Sequence, residues 1–287
     1  MSVAGEMGED GLIPTTKAFG TALADIMRCA DCGHMQLERF PGDSELDAAY
    51  AEAASDDYVD EEAGQRESAR RVLERIERFA QPGPLLDLGC WVGFLMAEAG
   101  ARGWSPVGIE PSTFASGYAR ERLGLDVRTE DLFTAELSEG HFSAVVMGDV
   151  LEHLTRAGEA LERVATLLAP EGVLVLLLPD AGSRVARILG RRWWSVIPTH
   201  IHYFTRRSAR TMLDRHGFDT LAVATDPKAF TVGYYIDKGS GYLPGASRAM
   251  HRAADRVGMA ERMWVPDFRD RMIVVARRRG EAGPSSH

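Results

Sequence analysis

Leu85-Leu-Asp-Leu-Gly-Cys-Trp-Val-Gly-Phe-Leu95 decides the fold. An apolar run of strand length, Leu85–Leu88, runs into Gly89 and Gly93, and a helical pattern starts at Phe94. Glycine is needed where the backbone turns sharply and a ligand approaches it closely. The helix start that follows offers unpaired N–H groups and the positive end of a dipole. A Gly-x-x-x-Gly turn also occurs in connections that hold no ligand, so its meaning depends on its surroundings.

Working outward, strand and helix patterns alternate. Before the turn, Val72, Leu73, Ile76 and Phe79 recur at helical spacing from Glu67 until Pro82-Gly83-Pro84 stops them. After the helix at 94–102 come a strand at 106–109, a helix at 113–123, a short strand at 125–128 and a strand at 142–147. An amphipathic helix follows at 157–168, with Leu161, Val164 and Leu168 on one face. The run Val173–Leu178 is almost continuously apolar, as in a strand covered on both faces. A helix at 208–216, a strand at 219–224, a helical stretch near 246–258 and a last strand at 272–276 complete the pattern. Alternation of this kind predicts βαβ units in a parallel sheet, with the ligand crevice at the carboxyl ends of the strands.

The strand after the turn ends in Val107-Gly-Ile-Glu-Pro111. An acid there, about 20 residues after the glycines, can accept hydrogen bonds from both hydroxyls of a ribose. A nicotinamide oxidoreductase shares these two features but shows G-x-G-x-x-G, and Trp91 in place of its second glycine would block a pyrophosphate.

With these motifs in order, the sequence resembles the class I S-adenosylmethionine-dependent methyltransferases over residues 70–225 plus the last strand. Asp87–Gly93 resembles their first motif, and Glu110 their ribose acid. Glu130-Asp131-Leu132 stands where the family places the acid and apolar neighbour that contact adenine. Phe142–Leu154 resembles the fourth strand and its loop, and Leu168–Val175 the turn and strand that follow. The resemblance implies an α/β Rossmann-like fold, mostly parallel with an antiparallel last strand. It implies S-adenosyl-L-methionine as cofactor, held by Asp87, Gly89, Cys90, Trp91, Gly93, Glu110, Pro111, Glu130, Asp131, Leu132, Gly148 and Asp149. Asp87 has two readings, a partner for the cofactor's ammonium group or a cap on the N–H groups of the turn. Trp91 departs from the family pattern, because many relatives carry glycine there.

The cofactor is a sulfonium with an electrophilic methyl group, so much of the acceleration can come from alignment with a nucleophile. A hydroxyl acceptor benefits from a general base, for which histidine suits neutral pH. His153 follows the fourth strand on the crevice side; a structural role for its imidazole is the alternative. His200 and His202, in the aromatic loop 193–204, are the other candidates, with Trp194, Tyr203 and Tyr235 as pocket walls. No metal is expected at these histidines, since the sequence shows no neighbouring carboxylate or cysteine to complete a set. Cys29-Ala-Asp-Cys32-Gly-His34 resembles one knuckle of a zinc ribbon whose other cysteine pair is missing, so a knuckle that keeps its turn without metal is favoured.

The chain of 287 residues is long enough for a sizeable core, and three cysteines do not suggest a disulfide framework. A net charge of −9 argues against a dedicated nucleic-acid binder. No apolar stretch approaches the roughly 20 residues that cross a bilayer. With no basic segment followed by an apolar run at the start, a cytoplasmic protein is expected. The organisation read from the chain is an N-terminal extension (1–67) with the knuckle and solvent-facing helices, a cofactor-binding core (68–226), an insertion covering the site (227–270), and a last strand with its tail (271–287). Leu46, Tyr50 and Tyr58 are the expected anchors of the extension. A small, partly apolar acceptor such as a sugar or secondary metabolite is expected, methylated at oxygen. A homodimer through the N-terminal helices is possible. The remaining alternative is a non-catalytic module that keeps the fold.

Overall fold

A computed structural model describes residues 19–42 and 57–280. Leu46 and Tyr50, and the side chain of Tyr58, lie outside the described residues. The chain opens with a short antiparallel hairpin, β1 (Ile26–Arg28) and β2 (Met35–Leu37). Helices α1 (Asp57–Asp60) and α2 (Glu62–Ile76) follow. Then come β3 (Pro84–Leu88), α3 (Phe94–Ala101), β4 (Ser105–Ile109), α4 (Thr113–Leu123), β5 (Val127–Arg128) and β6 (Phe142–Gly148). After α5 (Ala157–Leu167), β7 (Leu168–Pro179) and a short α6 (Arg184–Leu189), strand β8 (His202–Tyr203) joins the hairpin through β2. Helix α7 (Arg206–Arg215) and strand β9 (Phe218–Thr225) lead to the insertion, which holds β10 (Phe230–Thr231), α8 (Val232–Lys238), α9 (Pro244–Arg256) and β11 (Met263–Trp264). Strand β12 (Arg271–Arg278) ends the fold.

The main sheet has seven strands in the order β5-β4-β3-β6-β7-β12-β9. The first five pair in parallel, while β12 runs antiparallel to both β7 and β9, as the family resemblance implies. The strand period of two sends alternate side chains to opposite faces. Ala144 and Val146 of β6 pack with Val72, Leu73 and Ile76 of α2. Val145 and Met147 pack with Leu161, Val164 and Leu167 of α5 and Leu213 of α7. Both faces are therefore covered, which explains the unbroken apolar run in β7.

Differences from the expected elements have local causes. Helix α2 starts at Glu62, ahead of the apolar pattern, where Arg66 pairs with Glu62 and Glu98. Strand β5 is only two residues long, because Gly124 ends α4 in the left-handed region and Leu125 donates back to the Ala119 carbonyl. Strand β7 begins at Leu168, earlier than expected, through a register shift opposite Phe142 and Ala144. The turn of helix α8 and the strands β1, β2, β8, β10 and β11 are too short for a periodic signal.

Candidate active site

The glycine turn lies at the carboxyl end of β3. Gly89 has φ +69° and Gly93 has φ +84°, and a Cβ on Gly89 would sit 2.5 Å from Val150 Cγ2. Between them, Trp91 also adopts a left-handed conformation, with φ +49°. A non-glycine residue there costs about 1–2 kcal/mol, so something must hold it. Glu110 does so: its Oε2 accepts from the Trp91 N–H at 2.8 Å, and its Oε1 from the Ser112 N–H at 2.9 Å. Each carboxylate oxygen keeps a second lone pair, so the group that orders the turn can also accept from a ribose. Burial raises the pKa of Glu110, which is 5% exposed.

Asp87, next to the turn on β3, is 4% exposed. Burial, and then the Glu110 charge, push its pKa up to about 8, and no hydrogen bond from the described residues offsets them. It therefore does not cap the turn. Its carboxylate lines a cavity of about 150 Å³ together with Gly89, Trp91, Gly148, Asp149 and Lys228. Gln65, Ser68 and Val72 of α2 close the other side. A buried carboxylate without a donor, facing a cavity, is what a cationic ligand needs.

The other expected cofactor residues lie outside this cavity. Cys90 turns its thiol into an apolar cluster with Met96, Ala119 and Val127, which leaves only its backbone for a ligand. Gly93 caps α3, and Pro111 follows Glu110 at the head of the next loop. Glu130 is exposed beyond β5. Asp131 is engaged by its own turn, accepting from the N–H of Phe133 at 2.6 Å and the hydroxyl of Thr134 at 2.8 Å. Leu132 belongs to the core.

Asp149, with φ +56°, is locked between two cations that sequence reasoning missed. Lys228 of the insertion lies 2.8 Å from Oδ2, and Arg271 of β12 lies 2.6 Å from Oδ1. These two cations hold the Asp149 carboxyl well below the usual range, against the opposing effect of burial. Neither partner carries a sequence signal: Lys228 is 79 residues away and Arg271 is 122.

Beyond Asp149, a single 3-10 turn at Leu151–His153 presents Glu152 and His153. Loop 195–202 braces it, because Ile201 N–H donates to the Glu152 carbonyl at 3.0 Å. His153 Nδ1 donates to the Thr199 carbonyl at 2.9 Å, and His200 Nδ1 to the Ser195 carbonyl at 2.8 Å. Both tautomers therefore carry their lone pair on Nε2. The two rings meet edge to face at 4.6 Å. Burial lowers the pKa of His153 to about 4 and that of His200 in the same direction, so both are neutral at pH 7. His202 is set apart: its Nε2 donates to the Leu154 carbonyl at 3.1 Å, and its Nδ1 faces His34 Nε2 at 3.1 Å. With both nitrogens engaged it pins the hairpin to the turn and is not positioned to take a proton.

Among the described residues, Glu152, His153 and His200 form the one group of three whose potential ligand atoms all lie within 4.8 Å of one another. The carboxylate that the sequence around His200 lacks thus comes from the other loop. In the knuckle, Gly33 N–H donates to the Cys29 carbonyl at 3.1 Å, while the His34 ring turns to His202. Tyr203 is buried among Trp193, Val196 and Ile201 of its own loop, and Tyr235 donates to the Lys228 carbonyl at 2.7 Å, so neither lines the cavity with its ring.

A parallel sheet with an antiparallel penultimate strand, a glycine turn tied to an acid on the next strand, and a carboxylate facing the cavity define a family. The profile of the family described as "Methyltransferase domain" matches residues 61–223. The chain belongs to the class I S-adenosylmethionine-dependent methyltransferases. It is similar to the "Ubiquinone biosynthesis O-methyltransferase" of Bradyrhizobium diazoefficiens, at 26% identity over 54% of this chain and 64% of the relative. The protein of the same name from Rhodopseudomonas palustris strain BisA53 is 31% identical over the same shares. The match thus spans less than two thirds of these relatives. Among solved structures, a "SAM dependent methyltransferase from Archaeoglobus fulgidus" superposes with a TM-score of 0.52 at 16% identity, over 74% of this chain and 94% of that one. The magnesium protoporphyrin IX methyltransferase of Synechocystis, solved with S-adenosylhomocysteine, gives 0.51 at 16% identity, over 84% and 90%. At that identity both speak for the fold alone.

Proposed function

We propose that this methyltransferase transfers the methyl group of S-adenosylmethionine to an oxygen of a small, partly apolar acceptor. The observation that carries the reading is Asp87, a buried carboxylate that faces the cavity with no donor of its own. The cofactor's ammonium group supplies that donor. The turn at 89–93 cradles the methionine portion, and Glu110 takes the ribose. Glu130, Asp131 and Leu132 form the adenine side, with Asp131 contributing the lone pairs its turn leaves over. Gly148 and Asp149 flank the methionine, and the insertion at 227–270 covers the site through Lys228.

S-adenosylmethionine, held by Asp87, the turn at 89–93 and Glu110, would supply an electrophilic methyl group to the acceptor oxygen and would remain as S-adenosylhomocysteine. The acceptor's proton goes to His153 or His200, whose neutral imidazoles are in the base form at pH 7. The names of the relatives, both O-methyltransferases, favour oxygen as acceptor atom. No helix among the described residues is long and apolar enough to cross a membrane.

Glu110→Ala should weaken S-adenosylhomocysteine binding by about 1–3 kcal/mol, the usual loss for hydrogen bonds to a charged acceptor. Calorimetry on the folded variant checks it, and unchanged affinity removes the ribose assignment. Trp91→Gly should raise the unfolding free energy of the ligand-free protein by about 1 kcal/mol by relieving the left-handed strain. An equilibrium denaturation in urea reads that gain.

A further inference from the structure

We infer that Glu152, His153 and His200 form a binding site for a divalent transition-metal ion. Three observations converge on this centre. Glu152 is 1% exposed, and neither carboxylate oxygen has a hydrogen-bond partner among the described residues. A buried carboxylate left without a donor costs several kcal/mol unless a cation or proton meets it. Next, His153 and His200 each spend Nδ1 on a backbone carbonyl, which fixes the tautomer that carries a lone pair on Nε2. That arrangement is how proteins orient metal-binding imidazoles. Finally, one ligand atom from each residue lies within 4.8 Å of the others.

Two neutral imidazoles and one carboxylate suit zinc and its first-row neighbours rather than magnesium or calcium. Zinc bonds of about 2.0–2.1 Å place tetrahedral ligands about 3.3 Å apart, so the three side chains would draw in by up to roughly 1.5 Å. Three protein ligands leave a fourth position open, the pattern of a catalytic rather than a structural ion. Asp149 does not compete, because Lys228 and Arg271 already neutralise it. Ion binding requires only the geometry. Its use in methyl transfer, holding an acceptor hydroxyl and lowering its pKa, would replace proton transfer to His153 or His200, whose Nε2 atoms bind the ion, and rests on the cofactor and acceptor proposed above.

The test uses zinc chloride with the full chain stripped of metal. The background is Cys29→Ser/Cys32→Ser, which removes the thiols as a rival site. Titration calorimetry and metal analysis after desalting should both give one equivalent of zinc per chain. Glu152→Gln and His200→Gln should each weaken binding at least tenfold, with thermal unfolding confirming that the variants fold. Cobalt in place of zinc should show d–d absorption without a thiolate band, a readout that does not depend on the variants. No binding in the Cys29→Ser/Cys32→Ser chain, or binding that Glu152→Gln and His200→Gln both leave unchanged, overturns the site. S-adenosylhomocysteine titrated into the same samples separates the two proposals. Zinc without S-adenosylhomocysteine contradicts the function and keeps the ion, and the reverse removes the ion alone.

Discussion

Asp149→Asn should lower the unfolding free energy by about 2–4 kcal/mol. The substitution keeps the shape of the side chain, and asparagine tolerates the left-handed backbone that Asp149 adopts at φ +56°. What it removes is the negative charge between Lys228 and Arg271. Breaking one partner of a buried pair costs about 3–5 kcal/mol. The Asp149 side chain is 33% exposed, and solvent screening moves the expectation below that range. Because the pair depresses the carboxyl pKa, its contribution is present above the unfolded-state value of about 4 and is lost as pH falls toward the folded one. Urea unfolding from pH 7 down to pH 3 should therefore show the wild-type protein converging on the variant. A constant gap at every pH would mean that the loss is not electrostatic. Combining the change with Arg271→Met in a double-mutant cycle should return a coupling of at least about 1 kcal/mol, and a strictly additive result would dissolve the pair.

Asp87→Asn should weaken S-adenosylhomocysteine binding by about 2–5 kcal/mol, the usual cost of removing one partner of a buried hydrogen-bonded charge pair. In the ligand-free protein the sign is opposite. Asp87 titrates at about 8, far above its unfolded value, so its contribution to stability is complete below about pH 4 and is lost as pH rises through 8. The asparagine variant should accordingly be the more stable of the two at pH 9 when no ligand is present. Binding of a cation beside Asp87 also expels its proton. Calorimetric enthalpies at pH 7 should vary with the ionisation enthalpy of the buffer for wild type, and vary less for the variant. Equal proton release by both proteins would place the cation elsewhere.

The fold was legible because its signals are periodic or conformational. Val173–Leu178 reads as a two-faced strand on composition alone, and helices α3 and α5 begin where the pattern says. The turn at 89–93 and the acid at 110 were legible because both belong to one βα unit and its neighbouring strand. What escaped depends on side chains that meet only in the folded chain. Lys228 and Arg271 come from opposite ends of the insertion to reach Asp149. Glu152 is different, since it stands beside His153 in the quoted motif. Leu151 and Glu152 are both buried, so no alternation marked it as an inward carboxylate, and its meeting with His200 needed the braced loop 195–202. The histidine pair at 200 and 202 suggested one shared role from its spacing. His200 lies before β8, in the loop braced against the Glu152 turn, while His202 stands in β8 beside the hairpin, so no strand period relates the two rings.

The proposed reaction depends on a cationic nucleoside cofactor seated on Asp87 and Glu110. The measurement that tests it most directly is a calorimetric titration of the protein with S-adenosylhomocysteine, with NAD titrated in parallel. Binding in the micromolar range for S-adenosylhomocysteine, with none for NAD, is the predicted result. No binding of S-adenosylhomocysteine by the folded protein, or equal binding of NAD, would contradict it.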